Sequence, residues 1–170
     1  MDQPRCAGFE YDASAVLLVA GLKAMPQART REPDSSPPCR VLLVEDDDAF
    51  AAAVTELLEA DRRVKLAGRA CDGRQGVALA KALDPDVVLI DIVLPLVDGV
   101  EATREIRRRQ PRTPVVAISG WDYEERALEV REAGAVDFVR KGRLGPDLVE
   151  VILAAAKRRR RSRRGGGTSA

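Results

Sequence analysis

The chain has 170 residues, 45% of them apolar and 32% charged, enough for one domain of ordinary size with a buried core, plus tails. Aromatic residues make up only 4%, which argues against a stacking platform for single-stranded nucleic acid, and a chain with no histidine and no C-x-x-C pair among its three cysteines lacks the usual ligands of a zinc site. The net charge of +1 conceals two objects: residues 157–164 carry 7 basic side chains and no acidic one, whereas residues 40–156 carry 17 basic and 22 acidic, a net of about −5.

Residues 1–38 read as a disordered extension outside the fold. The stretch Thr30–Pro38 has the proline-rich, polar composition of a linker. The longest apolar run in this region, Ala15–Ala20, is too short to span a bilayer. Asp2, Glu10 and Asp12 precede it with only Arg5, unlike the basic leader of a signal peptide. A cytoplasmic location is expected.

From residue 40 a regular alternation begins. Arg40–Val44 is a short apolar strand. Phe50, Val54, Leu57 and Leu58 then fall at i, i+4, i+7 and i+8, an amphipathic helix that Asp47 or Asp48 can cap. Val64–Ala70 alternates loosely and reads as a second strand; Gly73–Leu83 is a helix with Val77, Ala80 and Leu83 on one face. Asp84-Pro85 stops it, and 86–90, apolar from Val87, is the third strand. A helix from about Val100 to Arg109 ends at Gln110-Pro111, and Pro114 opens the strand Val115–Ile118. Tyr123–Ala133 is helical and closes on Gly134, followed by a fifth strand over Val136–Val139. Leu144, Leu148, Val151, Ile152 and Ala155 mark a last helix that runs into the arginines.

Five strands alternating with five helices specify an α/β layer fold with a parallel sheet. In such sheets ligands sit outside the carboxyl ends of the strands. The residues there are Glu45-Asp46 after the first strand, Asp91 after the third, Ser119 after the fourth and Lys141 after the fifth. Carboxylates brought this close repel one another and call for a cation; with oxygen ligands only, Mg²⁺ is the natural choice. The set suits phosphoryl transfer, with Asp91 as the nucleophile, Lys141 neutralising phosphoryl oxygens and Ser119 donating from its hydroxyl. Gly120 is expected to let the backbone approach closely there.

Four segments carry a resemblance: Val41-Leu-Leu-Val-Glu-Asp-Asp47, Val87 to Pro95 with Asp98-Gly99, Val115-Val-Ala-Ile-Ser119 and Asp137-Phe-Val-Arg-Lys141. Over roughly residues 39–156 the chain resembles the receiver domain of two-component response regulators. The resemblance implies a flavodoxin-like doubly wound sheet of order 2-1-3-4-5. It implies Asp91 as the phosphoacceptor, Asp46 as a direct Mg²⁺ ligand, Glu45 acting through water, and the Val93 carbonyl completing the protein ligands. It further implies a sensor histidine kinase or histidine phosphotransfer protein as donor, and a switch in which Ser119 moves toward the phosphoryl group while Phe138 turns inward. That switch would remodel the face made by the fourth helix, fifth strand and fifth helix, where a downstream protein or a second copy would bind.

The pattern has departures. Gly142 stands where many members carry proline, Leu94 where methionine is common, and Phe138 lacks the hydroxyl of the tyrosine often found there. Val93 and Trp121 flank the reaction site and cannot help to orient an attacking water, so slow self-dephosphorylation is expected. The expected protein is a stand-alone receiver, a phosphoacceptor signalling domain rather than a turnover enzyme. Two rival readings are a receiver-like binding module that is never phosphorylated and a nucleic-acid binder using the 157–164 run. That run can be a solvated helix extension, an electrostatic tether to nucleic acid or anionic membrane, or a tail folded back on the acidic body.

Overall fold

The structure, a computed structural model, describes residues 37–120, 123–143 and 145–164. Eleven elements follow one another: β1 (Cys39–Val44), α1 (Asp48–Glu59), β2 (Val64–Ala70), α2 (Gly73–Leu83), β3 (Val87–Asp91), α3 (Gly99–Arg109), β4 (Val115–Ser119), α4 (Tyr123–Glu132), β5 (Asp137–Arg140), a 3₁₀ turn (Lys141–Arg143) and α5 (Pro146–Arg164). All four strand pairings are parallel, in the order β2-β1-β3-β4-β5. This is the doubly wound order that the resemblance implies, with the chain reversing direction across the sheet between β1 and β3.

The local chemistry explains the helix starts. The Asp47 carboxylate accepts the Phe50 N–H at 2.8 Å, Asp72 accepts that of Gln75 at 2.8 Å, and Asp98 accepts that of Val100 at 2.8 Å. Each satisfies one orphan donor of a first turn. At the other ends, Asp84 closes α2 in the left-handed region (φ 44°) just before Pro85, and Gly134 (φ 104°) follows α4.

Helices cover both faces of the sheet, so β1 and β3 are apolar on each side. Val41, Leu43 and Leu89 pack with Val54 and Leu58 of α1 and with Leu148 and Ile152 of α5. Leu42, Val44, Val88 and Ile90 pack on the opposite side with Ala80 of α2 and Ile106 of α3. Each of the fully buried valine, leucine and isoleucine side chains among these contributes roughly 1.5–3 kcal/mol. A third cluster joins Ile92, Val100, Ala117 and Phe138 to Ala127 and Val130 of α4.

Some boundaries differ from the sequence reading. β5 spans Asp137–Arg140 rather than Val136–Val139: its pairing with β4 begins at Val116–Asp137, and Val136 only leads into it, donating its N–H to the Val115 carbonyl at 2.8 Å. The loose alternation of β2 has a cause as well. Its pairing with β1 jumps from Val41–Leu66 to Leu42–Gly68, leaving Ala67 as an extra residue. This bulge reverses the sides of β2: Leu66 packs on the α1/α5 face, whereas Ala70 belongs to the α2/α3 face.

The helix α5 continues without a break through the basic run. Arg159 is 4% exposed, donates to Thr113 Oγ1 at 3.0 Å, and also binds the Pro85 carbonyl and the Asp84 carboxylate. Arg158 donates to the Val136 carbonyl at 3.1 Å. Two of the seven cations therefore fasten α5 to the amino edge of the sheet.

Candidate functional site

The parallel sheet delivers the ends of β1, β3, β4 and β5 to one edge, and the acidic and basic side chains expected to act together meet there. Asp91, the last residue of β3, is 4% exposed and accepts the Val93 N–H on Oδ1 at 3.2 Å. Glu45, immediately after β1, is fully buried, while Asp46 beside it is exposed. One carboxylate oxygen from each of Glu45, Asp46 and Asp91 lies within 4.8 Å of the others.

Lys141 follows β5 directly. Its ammonium lies 2.7 Å from Asp91 Oδ2 and 2.9 Å from Glu45 Oε1, and 4.4 Å from the centroid of the Phe50 ring. Burial works against the lysine's charge, but hydrogen bonds to Asp91 and Glu45, together with their charges, outweigh it and hold its pKa above the ordinary lysine value. For Glu45 the balance goes the other way. Burial pushes its pKa above 4.5, with Asp91 adding to the rise, although Lys141 and the Asp47 N–H pull it down.

Three carboxylates facing one ammonium leave a local charge of about −2 when all are ionised, which a low-dielectric edge tolerates poorly. Glu45 Oε2 is buried and has no hydrogen-bond partner among the described residues. An orphaned carboxylate oxygen beside two further oxygen donors fits a hard divalent cation with incomplete protein coordination, as Mg²⁺ prefers.

The other expected residues fall nearby in different surroundings. Ser119 ends β4, is 3% exposed, and lies one residue beyond the Ile118 that pairs with Asp91. Phe138 is buried in the cluster with Ala127 and Val130 of α4. The Val93 side chain is 64% exposed beside Asp91. At Gly120, beside Ser119, a Cβ would meet no protein atom within 4 Å, so the glycine faces open space. The tight contact is at Gly99 instead, where a Cβ would stand 1.9 Å from the Asp91 carbonyl oxygen. Trp121 lies outside the described residues.

Three contributors went unread in the sequence. Phe50 fits the apolar stripe of α1, yet its ring also lies under the Lys141 ammonium. Arg126 of α4 pairs with Asp98 and approaches the Ile92 carbonyl at 3.5 Å, linking that helix to the loop after Asp91. Arg69 pairs with Asp48 at 2.7 Å and reaches the Glu45 carbonyl. Only Phe50 had a legible signal, its position two residues past the acidic cluster.

The chain is similar to known proteins in sequence and in fold. The family model of the response regulator receiver domain matches residues 41–153. Over 104 residues the chain is 39% identical to a protein-glutamate methylesterase/protein-glutamine glutaminase 2 of Photobacterium profundum, covering 60% of this chain and 26% of that protein. Over 115 residues it is 34% identical to the transcriptional regulatory protein LiaR of Bacillus subtilis, covering 68% of this chain and 54% of that one. The chain thus spans between 26% and 54% of the length of these two relatives. Among solved structures, the response regulator domain of Thermotoga maritima CheB aligns with a TM-score of 0.66 at 29% identity, covering 71% of this chain and 97% of that one. The signal receiver domain of the putative response regulator NarL from Mycobacterium tuberculosis aligns with a TM-score of 0.69 at 30% identity, covering 72% and 98%.

Proposed function

The chain belongs to the response regulator receiver-domain family, and we propose that it is a phosphorelay switch that accepts a phosphoryl group on Asp91. The observation that carries this reading is the Asp91 carboxylate, buried at the tip of β3 and held at 2.7 Å by Lys141 beside an orphaned Glu45 oxygen. A carboxylate so placed is shielded from bulk water yet opens onto the edge where β1, β3, β4 and β5 converge.

The donor is the phosphohistidine of a sensor histidine kinase or a histidine phosphotransfer protein. A carboxylate oxygen of Asp91 forms the new P–O bond, the P–N bond of the phosphohistidine breaks, and the imidazole nitrogen that leaves takes up a proton. Lys141 holds Asp91 in orientation and offers its charge to the phosphoryl oxygens as they approach. Glu45, Asp46, Asp91 and the Val93 carbonyl would hold Mg²⁺, which when bound supplies charge neutralisation for the transferring group. Ser119 supplies a hydroxyl donor from β4.

The readout follows from packing. Phe138 is buried against Ala127 and Val130, so a shift of Ser119 toward a phosphoryl group alters the bed on which α4 rests. The face of α4, β5 and α5 is where a downstream protein, or a second copy on phosphorylation, would engage. Residues 39–156 form the receiver body in this reading, acting in the cytoplasm. Among the described residues no helix is long and apolar enough to cross a membrane. A nucleic-acid role for the basic run has less to draw on, since Arg158 and Arg159 are engaged by the body.

Incubation with acetyl phosphate and Mg²⁺ followed by intact mass tests the proposal. The expected result is one phosphoryl adduct on the wild type and none on Asp91→Asn. No adduct on either protein would favour a receiver-like module that works by binding alone.

A further inference from the structure

The geometry points to Arg69 as a positioning residue for the cation site, a role that rests on the reading of Glu45, Asp46 and Asp91 as Mg²⁺ ligands. Arg69 touches none of those carboxylates. Its guanidinium donates to the backbone carbonyl of Glu45, at 3.1 Å from one terminal nitrogen and 3.4 Å from Nε. The N–H of the same residue donates to the Ala70 carbonyl at 2.9 Å. The end of β2 therefore holds Glu45 from both sides of its backbone, where β1 gives way to the turn that carries Asp46. A further link runs to Asp48, the first residue of α1, at 2.7 Å. That carboxylate is 79% exposed, so the link is screened by water and the carbonyl bonds are the firmer tie.

The bulge in β2 is what aims this side chain. With strict alternation, a strand that turns Leu66 toward α1 and α5 would turn Arg69 toward α2. The extra residue at Ala67 reverses the phase, so Arg69 pairs with Leu43 and faces the side where α1 begins. Bulges recur beside functional sites because they re-aim a side chain in this way. The aimed arginine is only 18% exposed, so its fork is largely shielded from competing water.

Positioning and charge make opposite predictions, and that separates them. If Arg69 acted only as a nearby positive charge, it would repel a bound cation, and its removal would tighten Mg²⁺ binding. If it fixes the loop that presents Glu45 and Asp46, its removal weakens binding, by about 10-fold on the scale of other outer-shell partners of metal ligands.

The test is calorimetric titration of Mg²⁺ into the EDTA-stripped full chain, with apo melting temperatures measured in parallel. Arg69→Ala is expected to bind Mg²⁺ about 10-fold more weakly than wild type while its apo melting temperature moves by no more than about 3 °C. Arg69→Lys keeps the charge but not the fork, and is expected to lose about 3-fold. If Arg69→Ala lowers the apo melting temperature further, the decision passes to Arg69→Lys. Unchanged or tighter binding in Arg69→Lys, or in a well-folded Arg69→Ala, overturns the assignment. A wild type that takes up no Mg²⁺ at all refutes the ligand set itself, and the role of Arg69 falls with it.

Discussion

Replacing Lys141 with methionine should destabilise the protein in a way that depends strongly on pH. Methionine fills much of the same volume, so the loss is chiefly that of an ammonium shared by Asp91 at 2.7 Å and Glu45 at 2.9 Å. Breaking a buried pair by removing one partner typically costs about 3–5 kcal/mol. The penalty has a ceiling, because a stranded carboxylate can take up a proton instead of remaining charged. From the ordinary glutamate value of 4.5, protonating Glu45 at pH 7 costs about 3.4 kcal/mol, and less from its raised folded value, so a loss of up to about 3 kcal/mol is expected there. The sign of the pH effect follows from the direction of the Glu45 shift. Its folded pKa is raised, so the native state holds the proton at pH values where the unfolded chain has released it. The carboxyl's contribution to stability is therefore greatest below 4.5 and is lost as pH rises through the folded pKa. Lys141→Met widens that window upward. The difference between variant and wild type should shrink, by up to about 1.4 kcal/mol per unit, as pH falls from 7 toward the raised folded pKa of Glu45 in the wild type. Urea unfolding of both proteins at about pH 7 and about pH 5.5, without and with Mg²⁺, reads the effect, and Mg²⁺ should recover part of the loss by supplying the missing charge. A loss under about 0.5 kcal/mol at neutral pH, or one indifferent to pH, would refute the reasoning.

Three other outcomes can be checked. Gly99→Ala should cost about 3 kcal/mol or more in denaturant unfolding, since its methyl meets the Asp91 carbonyl oxygen at 1.9 Å and the Ile92 Cα at 2.8 Å; Gly120→Ala, with open space at its Cβ, should stay within about 0.5 kcal/mol of wild type. Arg159→Met should destabilise by about 1–3 kcal/mol, because the Thr113 hydroxyl loses a buried partner and the Pro85 carbonyl loses a donor; an unchanged unfolding midpoint would mean that α5 does not need that anchor. Phosphorylated protein freed of donor should keep its phosphoryl group for minutes or longer, since the exposed Val93 side chain offers no group to orient water, and a half-life of seconds would contradict that.

What the sequence revealed, and what it hid, divides along physical lines. The runs 41–44, 87–90 and 115–118 are apolar without alternation, as strands covered on both faces are, and each ends on or beside a polar residue of the site. That is why Glu45, Asp46, Asp91 and Ser119 stand out in the sequence, while Lys141 stands out by following the fifth strand. The bulge in β2 could not, because Val64–Ala70 has the right composition in either phase. Arg69 was hidden with it, since its direction depends on the phase. Arg159 was hidden for another reason: in a row of arginines nothing marks the one that turns inward toward Thr113. The early start of α3 at Gly99 is a matter of fit against Asp91, visible only once the two segments are side by side.

The glycine contacts bear on how a signal could leave Asp91. A Cβ on Gly99, which opens α3, would strike the backbone of Asp91 and Ile92, and one on Gly73, which opens α2, would strike the Val97 carbonyl at 2.1 Å. From Asp91 to the first turns of two helices, the packing is mainly main chain on main chain, with little side chain between to act as a cushion. Such a joint has almost no slack, and side-chain substitutions around it have little to adjust. On the α4 side, by contrast, contact is made through Phe138, Ala127 and Val130, side chains that can be exchanged one at a time.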